Sequence, residues 1–151
     1  MKGAYIFDLD GTLCDATPRY KKYIEGQDNW DEFYVHCDED DAHFDVCEIV
    51  DALYEAGFDI LFVTGRRESA REATLKWLNE AFGPNVAKSE HLFMRSAKDG
   101  FCADYASKCR NYREYIKDKW TIRGVFEDRD QCVRAWRDLG LRCYQVADGC
   151  Y

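Results

Sequence analysis

From Ile24 to Thr64 the chain has no lysine and no arginine, yet it carries thirteen aspartates and glutamates there. Such a stretch repels a long phosphate backbone and cannot serve as a groove for a duplex. The other residues hold 21 basic against 16 acidic side chains, so a chain of net charge −8 keeps a basic remainder suited to a small anion or one strand end. Asp38 to Asp41 are expected as solvated residues at a helix N-terminus. No apolar run approaches the roughly 20 residues that span a bilayer, so no membrane role is expected. The first strand pattern starts at Ala4, which leaves no room for a leader and gives the expectation of a soluble, cytoplasmic protein. The eight cysteines include no Cys-x-x-Cys and no cysteine/histidine spacing of a zinc site, and are read as reduced and mostly buried. Repeats, low-complexity tracts and linker-like stretches are also missing, so the 151 residues are expected to form a single domain, 1–151.

What is present is an alternation of strand and helix patterns. Apolar runs predict strands at Tyr5–Leu9, Ile60–Thr64, His91–Arg95, Gly124–Glu127 and Cys143–Val146. Between them, helical spacing links Val46, Val50, Leu53 and Tyr54; then Leu75, Leu78 and Phe82; then Tyr105, Cys109, Tyr112 and Ile116; then Cys132, Ala135, Trp136 and Leu139. This order implies an α/β protein with a parallel, Rossmann-like sheet covered by helices on both faces. Residues from about 13 to 37 fit neither pattern and are too many for an ordinary loop. They leave the end of the first strand and are expected as a small cap or flap. Their aromatic residues Tyr20, Tyr23, Trp30, Phe33 and Tyr34 are expected to pack the flap onto the body, with nucleobase stacking as the alternative.

Chemistry-bearing residues fall where these strands end. Asp8 and Asp10 follow the first, Thr64-Gly65-Arg66 the second, and Glu127-Asp128 the fourth, all on the edge where open α/β sheets keep their sites. Carboxylates gathered there repel one another unless a cation sits among them, and oxygen ligands without histidine or thiolate favour a hard ion such as Mg²⁺. A metal, a hydroxyl and several basic groups suit a phosphoryl substrate, whose transfer needs positioning and charge neutralisation above all.

Asp8-Leu9-Asp10-Gly11-Thr12, Thr64-Gly65-Arg66, Lys108 and Glu127-Asp128 together resemble the four motifs of the haloacid dehalogenase (HAD) phosphatase superfamily, across nearly the whole chain. The stretch from Phe126 to Gly149 is similar to the end of the phosphatase domain of phage-type polynucleotide kinase-phosphatase. In that family an arginine lies eleven residues after the nucleophile, matched by Arg19, and a lysine about nineteen before the last acidic pair, matched by Lys108. The resemblance implies a HAD-type fold and an Mg²⁺-dependent phosphomonoesterase. In it Asp8 attacks phosphorus to form an aspartyl-phosphate, and Asp10 protonates the leaving oxygen and then activates water. It implies further that Thr64 and Lys108 hold the phosphoryl group, with Arg19, Gly65 and Arg66 contacting substrate phosphate. The metal would be held by Asp8, Asp10 through its backbone carbonyl, and Asp128, with Glu127 in support. Glu127 departs from the pattern, which usually has aspartate.

The implied substrate is a phosphorylated nucleic acid end or nucleotide, most often a 3′-phosphate, and the implied partner a separate kinase or ligase. Two alternatives stay open: a 5′-nucleotidase or small-molecule phosphatase, which the acidic stretch suits, and a phosphate-binding module without turnover, against which the intact acidic motifs stand. The Gly83-to-Ser89 segment lacks the glycine before lysine of a phosphate loop and follows a helix, so no kinase role is read into it. Arg67, Arg95, Arg110 and Arg129 are taken as surface or supporting residues.

Overall fold

The computed structural model describes residues 1–151. Five parallel strands, β1 (Lys2–Phe7), β4 (Asp59–Arg67), β5 (Leu92–Arg95), β6 (Trp120–Glu127) and β7 (Cys143–Gln145), form one sheet in the order β5-β4-β1-β6-β7. The order reverses at β1, so the carboxyl end of β1 is the switch point where such sheets bind ligands.

Period-two alternation builds two cores. Phe7, Ile60 and Phe62 face one side with Val46, Val50, Trp77 and Leu78, while Ala4, Ile6, Leu61, Val63 and Val125 face the other with Ile116, Val133 and Trp136. Helices α3 (Phe44–Glu55) and α4 (Arg71–Phe82) cover the first face. The second is covered by α5 (Asp104–Asn111), a π turn over Tyr112–Ile116, and α6 (Asp130–Asp138). The parallel α/β arrangement follows the sequence expectation at every strand and helix, with edges moved by a few residues. No disulfide forms, and six of the eight cysteines are buried. No helix is long and apolar enough to cross a membrane.

The segment after β1 is folded. A two-stranded antiparallel ribbon of β2 (Cys14–Asp15) and β3 (Asp41–Ala42) closes its base, with α1 (Thr17–Tyr23) and α2 (Trp30–Val35) above. Its aromatic rings pack on one another, Phe33 meeting Tyr20, Trp30 and Tyr34 edge-on and Tyr23 stacking on His36 at 5.1 Å, and Tyr34 also packs against the first core.

Candidate active site

The turn after β1 is wound tightly, the amides of Thr12, Leu13 and Cys14 all donating to the Leu9 carbonyl at 2.8–3.2 Å. It depends on Gly11, whose φ of +85° suits glycine and whose Cα faces Asp128 so closely that a Cβ would stand 2.2 Å from Oδ2. The turn sends Asp8 and Asp10 into two separate clusters.

Asp8 enters the first. Its Oδ1 accepts from the Lys108 ammonium at 2.8 Å, and the Thr12 hydroxyl lies 3.1 Å from its Oδ2 and 3.3 Å from Asp128 Oδ1. Lys108, delivered by α5, also reaches Glu127 Oε2 at 2.8 Å and Asp104 Oδ2 at 3.3 Å. Asp104 sits one helical turn before Lys108 on the same face. It is also the neighbour that forbids a side chain at position 65, where a Cβ would fall 1.9 Å from its Oδ1. Thr64 is buried at the point where the backbone departs from regular pairing. β4 takes four residue steps from Val63 to Arg67 while β5 takes two from Phe93 to Arg95, and the excess pushes Thr64 to Arg66 out toward the site.

Oxygen ligand atoms of Asp8, Glu127 and Asp128 lie within 4.8 Å of one another, all three residues buried. Counting Asp104, four carboxylates gather around one buried ammonium, which bonds three of them, and the Arg129 guanidinium stands 3.6 Å from Asp104. Burial pushes the Asp8 carboxyl well above its ordinary range; Glu127 adds to the rise, Lys108 opposes it, and Asp128 and Asp104 add again. Lys108 goes the other way: burial would lower it, but Asp104, Asp8 and Glu127 hold it well above the ordinary ammonium range. The cluster is short of positive charge, its free donors are oxygens, and it therefore fits a hard divalent cation. Glu127 contributes little free lone-pair capacity. Its Oε2 takes Lys108 and the Trp136 indole, and its Oε1 accepts from the amides of Asp128 at 3.2 Å and Arg129 at 3.4 Å. The Tyr151 hydroxyl donates to Asp128 Oδ2.

Asp10 enters the second cluster. Arg66 grips it with two parallel bonds, Nε to Oδ2 at 3.0 Å and Nη2 to Oδ1 at 2.7 Å, and Arg19 Nη2 adds a third to Oδ1 at 2.8 Å. Arg19 is itself held by Asp40 at 2.9 and 2.7 Å and by the Phe33 carbonyl at 2.8 Å, with its guanidinium 4.1 Å over the Phe33 ring. Burial alone would raise the Asp10 carboxyl, but Arg66 and Arg19 overrule it and keep Asp10 far below the usual carboxylate range. Both arginines expected at the substrate phosphate thus have Asp10 as partner here. Within the acidic run, Asp40 is not solvated: its side chain is 4% exposed because Arg19 draws it inward, and Asp38 pairs with Lys76 at 2.7 Å.

Asp104, Asp40, Thr12 and Tyr151 are site groups that the sequence reading did not single out. The i, i+4 spacing to Lys108 marked Asp104, and the Asp-x-Asp-Gly-Thr run contained Thr12.

Residues 2–151 match the family described as the polynucleotide kinase PNKP phosphatase domain. A protein of Autographa californica nuclear polyhedrosis virus, named as a bifunctional polynucleotide kinase/RNA ligase, is 33% identical over 139 residues, covering 91% of this chain and 18% of that protein. A chain in a structure of the Pnkp1/Rnl/Hen1 complex superposes with a TM-score of 0.81 at 26% identity, over all of this chain and 47% of its own length. A class C acid phosphatase from Bacillus anthracis, with tungstate bound, shares the fold at a TM-score of 0.73 and 19% identity, over 99% of this chain and 68% of its own. The chain thus spans under half the length of the first two.

Proposed function

We propose, for a chain that belongs to the family of polynucleotide kinase PNKP phosphatase domains and to the HAD-type phosphatases, that it is an Mg²⁺-dependent 3′-phosphatase of nucleic acid ends. The observation that supports hydrolysis over mere binding is the placement of Asp8. It stands at the carboxyl end of β1 with one oxygen on Lys108 and the other beside Thr12, within a buried all-oxygen cluster whose carboxylates outnumber its one ammonium.

Asp8 is the nucleophile in this reading. Attack on phosphorus breaks the ester bond, forms an aspartyl-phosphate and releases the hydroxyl end; water then breaks the acyl-phosphate bond and regenerates Asp8. Lys108 orients the attacking oxygen and neutralises phosphoryl charge, and the Thr64 hydroxyl and the Gly65 backbone line the phosphoryl position. Asp8, Asp128 and the Asp10 carbonyl would hold Mg²⁺, and Glu127 sets Lys108 and the Asp128 backbone in place. The ion would supply the positive charge the cluster lacks, keeping Asp8 ionised and countering charge on the phosphoryl oxygens.

Asp10 is the acid and base. Clamped by Arg66 and Arg19, it rests as the carboxylate, the form that takes a proton from water in the second step. An incoming phosphate dianion competes for both guanidinium groups. Drawing them off Asp10 raises its proton affinity and prepares it to protonate the leaving oxygen in the first step. This reconciles the expected phosphate contacts of Arg19 and Arg66 with the partners they have at rest.

Family membership supports a nucleic acid end as substrate, and a separate kinase or ligase as partner fits the company kept by the relatives. The test compares kcat/KM on matched 3′- and 5′-phosphorylated oligonucleotides, with Mg²⁺ and with EDTA. Preference for the 3′ end and loss with EDTA are expected. Preference for 5′ ends or for sugar phosphates would overturn the substrate, and EDTA-resistant turnover the metal.

A further inference from the structure

A second opening lies beside the site, past the end of β4. It is a cavity of about 330 Å³ whose lining includes Arg67, Glu68, Arg95, Ser96, Gly100 and Phe101. It is joined to the phosphoryl position through the backbone: Arg95 Nε donates to the Gly65 carbonyl at 3.2 Å, and Arg67 is two residues beyond Gly65. From the other side comes Tyr34 of α2, whose ring has the Arg67 guanidinium 5.7 Å from its centroid.

The charge balance in this cavity is unlike that of the chain as a whole. Arg67 has no carboxylate partner. Arg95 bonds to carbonyls, those of Gly65 and of Cys102 at 2.6 Å, so its charge stays uncompensated. The nearby acids are already engaged, Glu68 with Arg71 at 2.7 Å and Asp99 with Arg110 at 2.5 Å. Two free positive charges therefore face one small cavity in a protein of net charge −8. At its lip Phe101 is 98% exposed, an apolar ring left in water with nothing packed over it. Cations paired with an open aromatic face are the elements by which proteins hold single-stranded nucleic acid, the cations on phosphates and the ring under a base.

We propose that this cavity binds the nucleotide preceding the one whose terminal phosphate is removed, with Arg67 and Arg95 on the adjoining phosphodiester and Phe101 stacked on a base. The inference rests on the nucleic-acid-end reading above and adds to it a length requirement. A mononucleotide has only the phosphate that Asp8 attacks. The second anion for Arg67 and Arg95 exists only once the substrate is a dinucleotide or longer, so the cavity selects strand ends over free nucleotides. Tyr34 carries the Arg67 guanidinium over its ring, which gives the segment after β1 a part in placing that cation.

The experiment measures kcat/KM for p-nitrophenyl phosphate and for phosphorylated mono-, di- and tetranucleotides, each carrying its phosphate at the 3′ or at the 5′ end. Wild type is compared with Arg67→Gln and Phe101→Ala. Phe101 is exposed and Arg67 is half-buried at the end of β4 without an ion pair, and circular dichroism checks the fold of each variant. Wild type is expected to prefer di- over mononucleotide by tenfold or more. Phe101→Ala should lower the ratio of dinucleotide to p-nitrophenyl phosphate turnover by about fivefold or more. Arg67→Gln should lower that ratio too, and reduce the slope of log kcat/KM against log salt for the tetranucleotide by about one. A length preference that the variants lose upholds the cavity whichever end is hydrolysed, while the 3′-to-5′ ratio separately judges the reading it rests on. Equal rates on mono- and dinucleotides in wild type, or variants that depress p-nitrophenyl phosphate as much as the dinucleotide, would overturn it.

Discussion

Replacing Lys108 by methionine keeps the length of the side chain and removes the only ammonium among Asp8, Asp104, Glu127 and Asp128. The lysine is 2% exposed, with carboxylate oxygens at 2.8, 2.8 and 3.3 Å. An exposed pair at such distances would contribute about 0–1 kcal/mol. Taking one partner from a buried pair leaves an uncompensated charge and costs about 3–5 kcal/mol. For a chain of this size that is a Tm lower by about 6–20 °C at pH 7.5 without metal. The pH dependence separates this cause from lost packing. Burial, with Glu127, already raises Asp8, and burial raises Glu127; without the lysine both rise further. A carboxyl that holds its proton in the folded chain at a pH where the unfolded chain, near pKa 4, has lost it makes stability fall as pH rises. The deficit of K108M relative to wild type should therefore shrink from pH 7.5 to pH 5. Thermal denaturation followed by circular dichroism at several pH values checks this. A Tm within 2 °C of wild type at pH 7.5, or a deficit unchanged across the range, would refute the electrostatic account of the cluster.

Gly65→Ala would place its Cβ 1.9 Å from Asp104 Oδ1, so Asp104 must swing off Lys108; we expect a loss of about 1–3 kcal/mol in urea unfolding and reduced turnover. Tyr151→Phe removes the hydroxyl that competes for Asp128 Oδ2, and Mg²⁺ affinity, followed through tryptophan fluorescence, should rise several-fold; unchanged affinity would mean that the ion does not use Asp128 Oδ2. Asp99 is held down to about 2 by Arg110, a carboxyl depressed in the folded state, so the stability it gives is present above pH 4 and lost as pH falls toward 2. Asp99→Asn should cost about 1–2 kcal/mol at pH 7 and nothing measurable near pH 2, read by acid titration of the unfolding midpoint.

The sheet was legible in the sequence because a parallel strand buried on both faces is written as a short apolar run, such as Ile60 to Val63 within β4. The order of motifs along the chain then placed Asp8, Thr64 and Asp128 on one edge. What pairs with what inside that edge was not legible. Arg19 and Arg66 carry no mark of whether a phosphate or Asp10 is their resting partner, since both are oxyanions and only the fold fixes the distance. Asp40 sat in an acidic run that looks solvated, and becomes buried because Arg19, twenty-one residues earlier, is turned inward by α1. The helices α1 and α2, of seven and six residues, are too short for periodicity to declare them; their stability comes from rings such as Phe33 packing on Tyr20 and Trp30.

The measurement closest to the central claim is acid-quenched single turnover of an oligonucleotide bearing a ³²P-labelled 3′-phosphate with Mg²⁺ present. The account predicts transient label on the peptide containing Asp8, discharged by water and never formed by Asp8→Asn. Turnover without protein-bound label at any time, or label on a different residue, would contradict it.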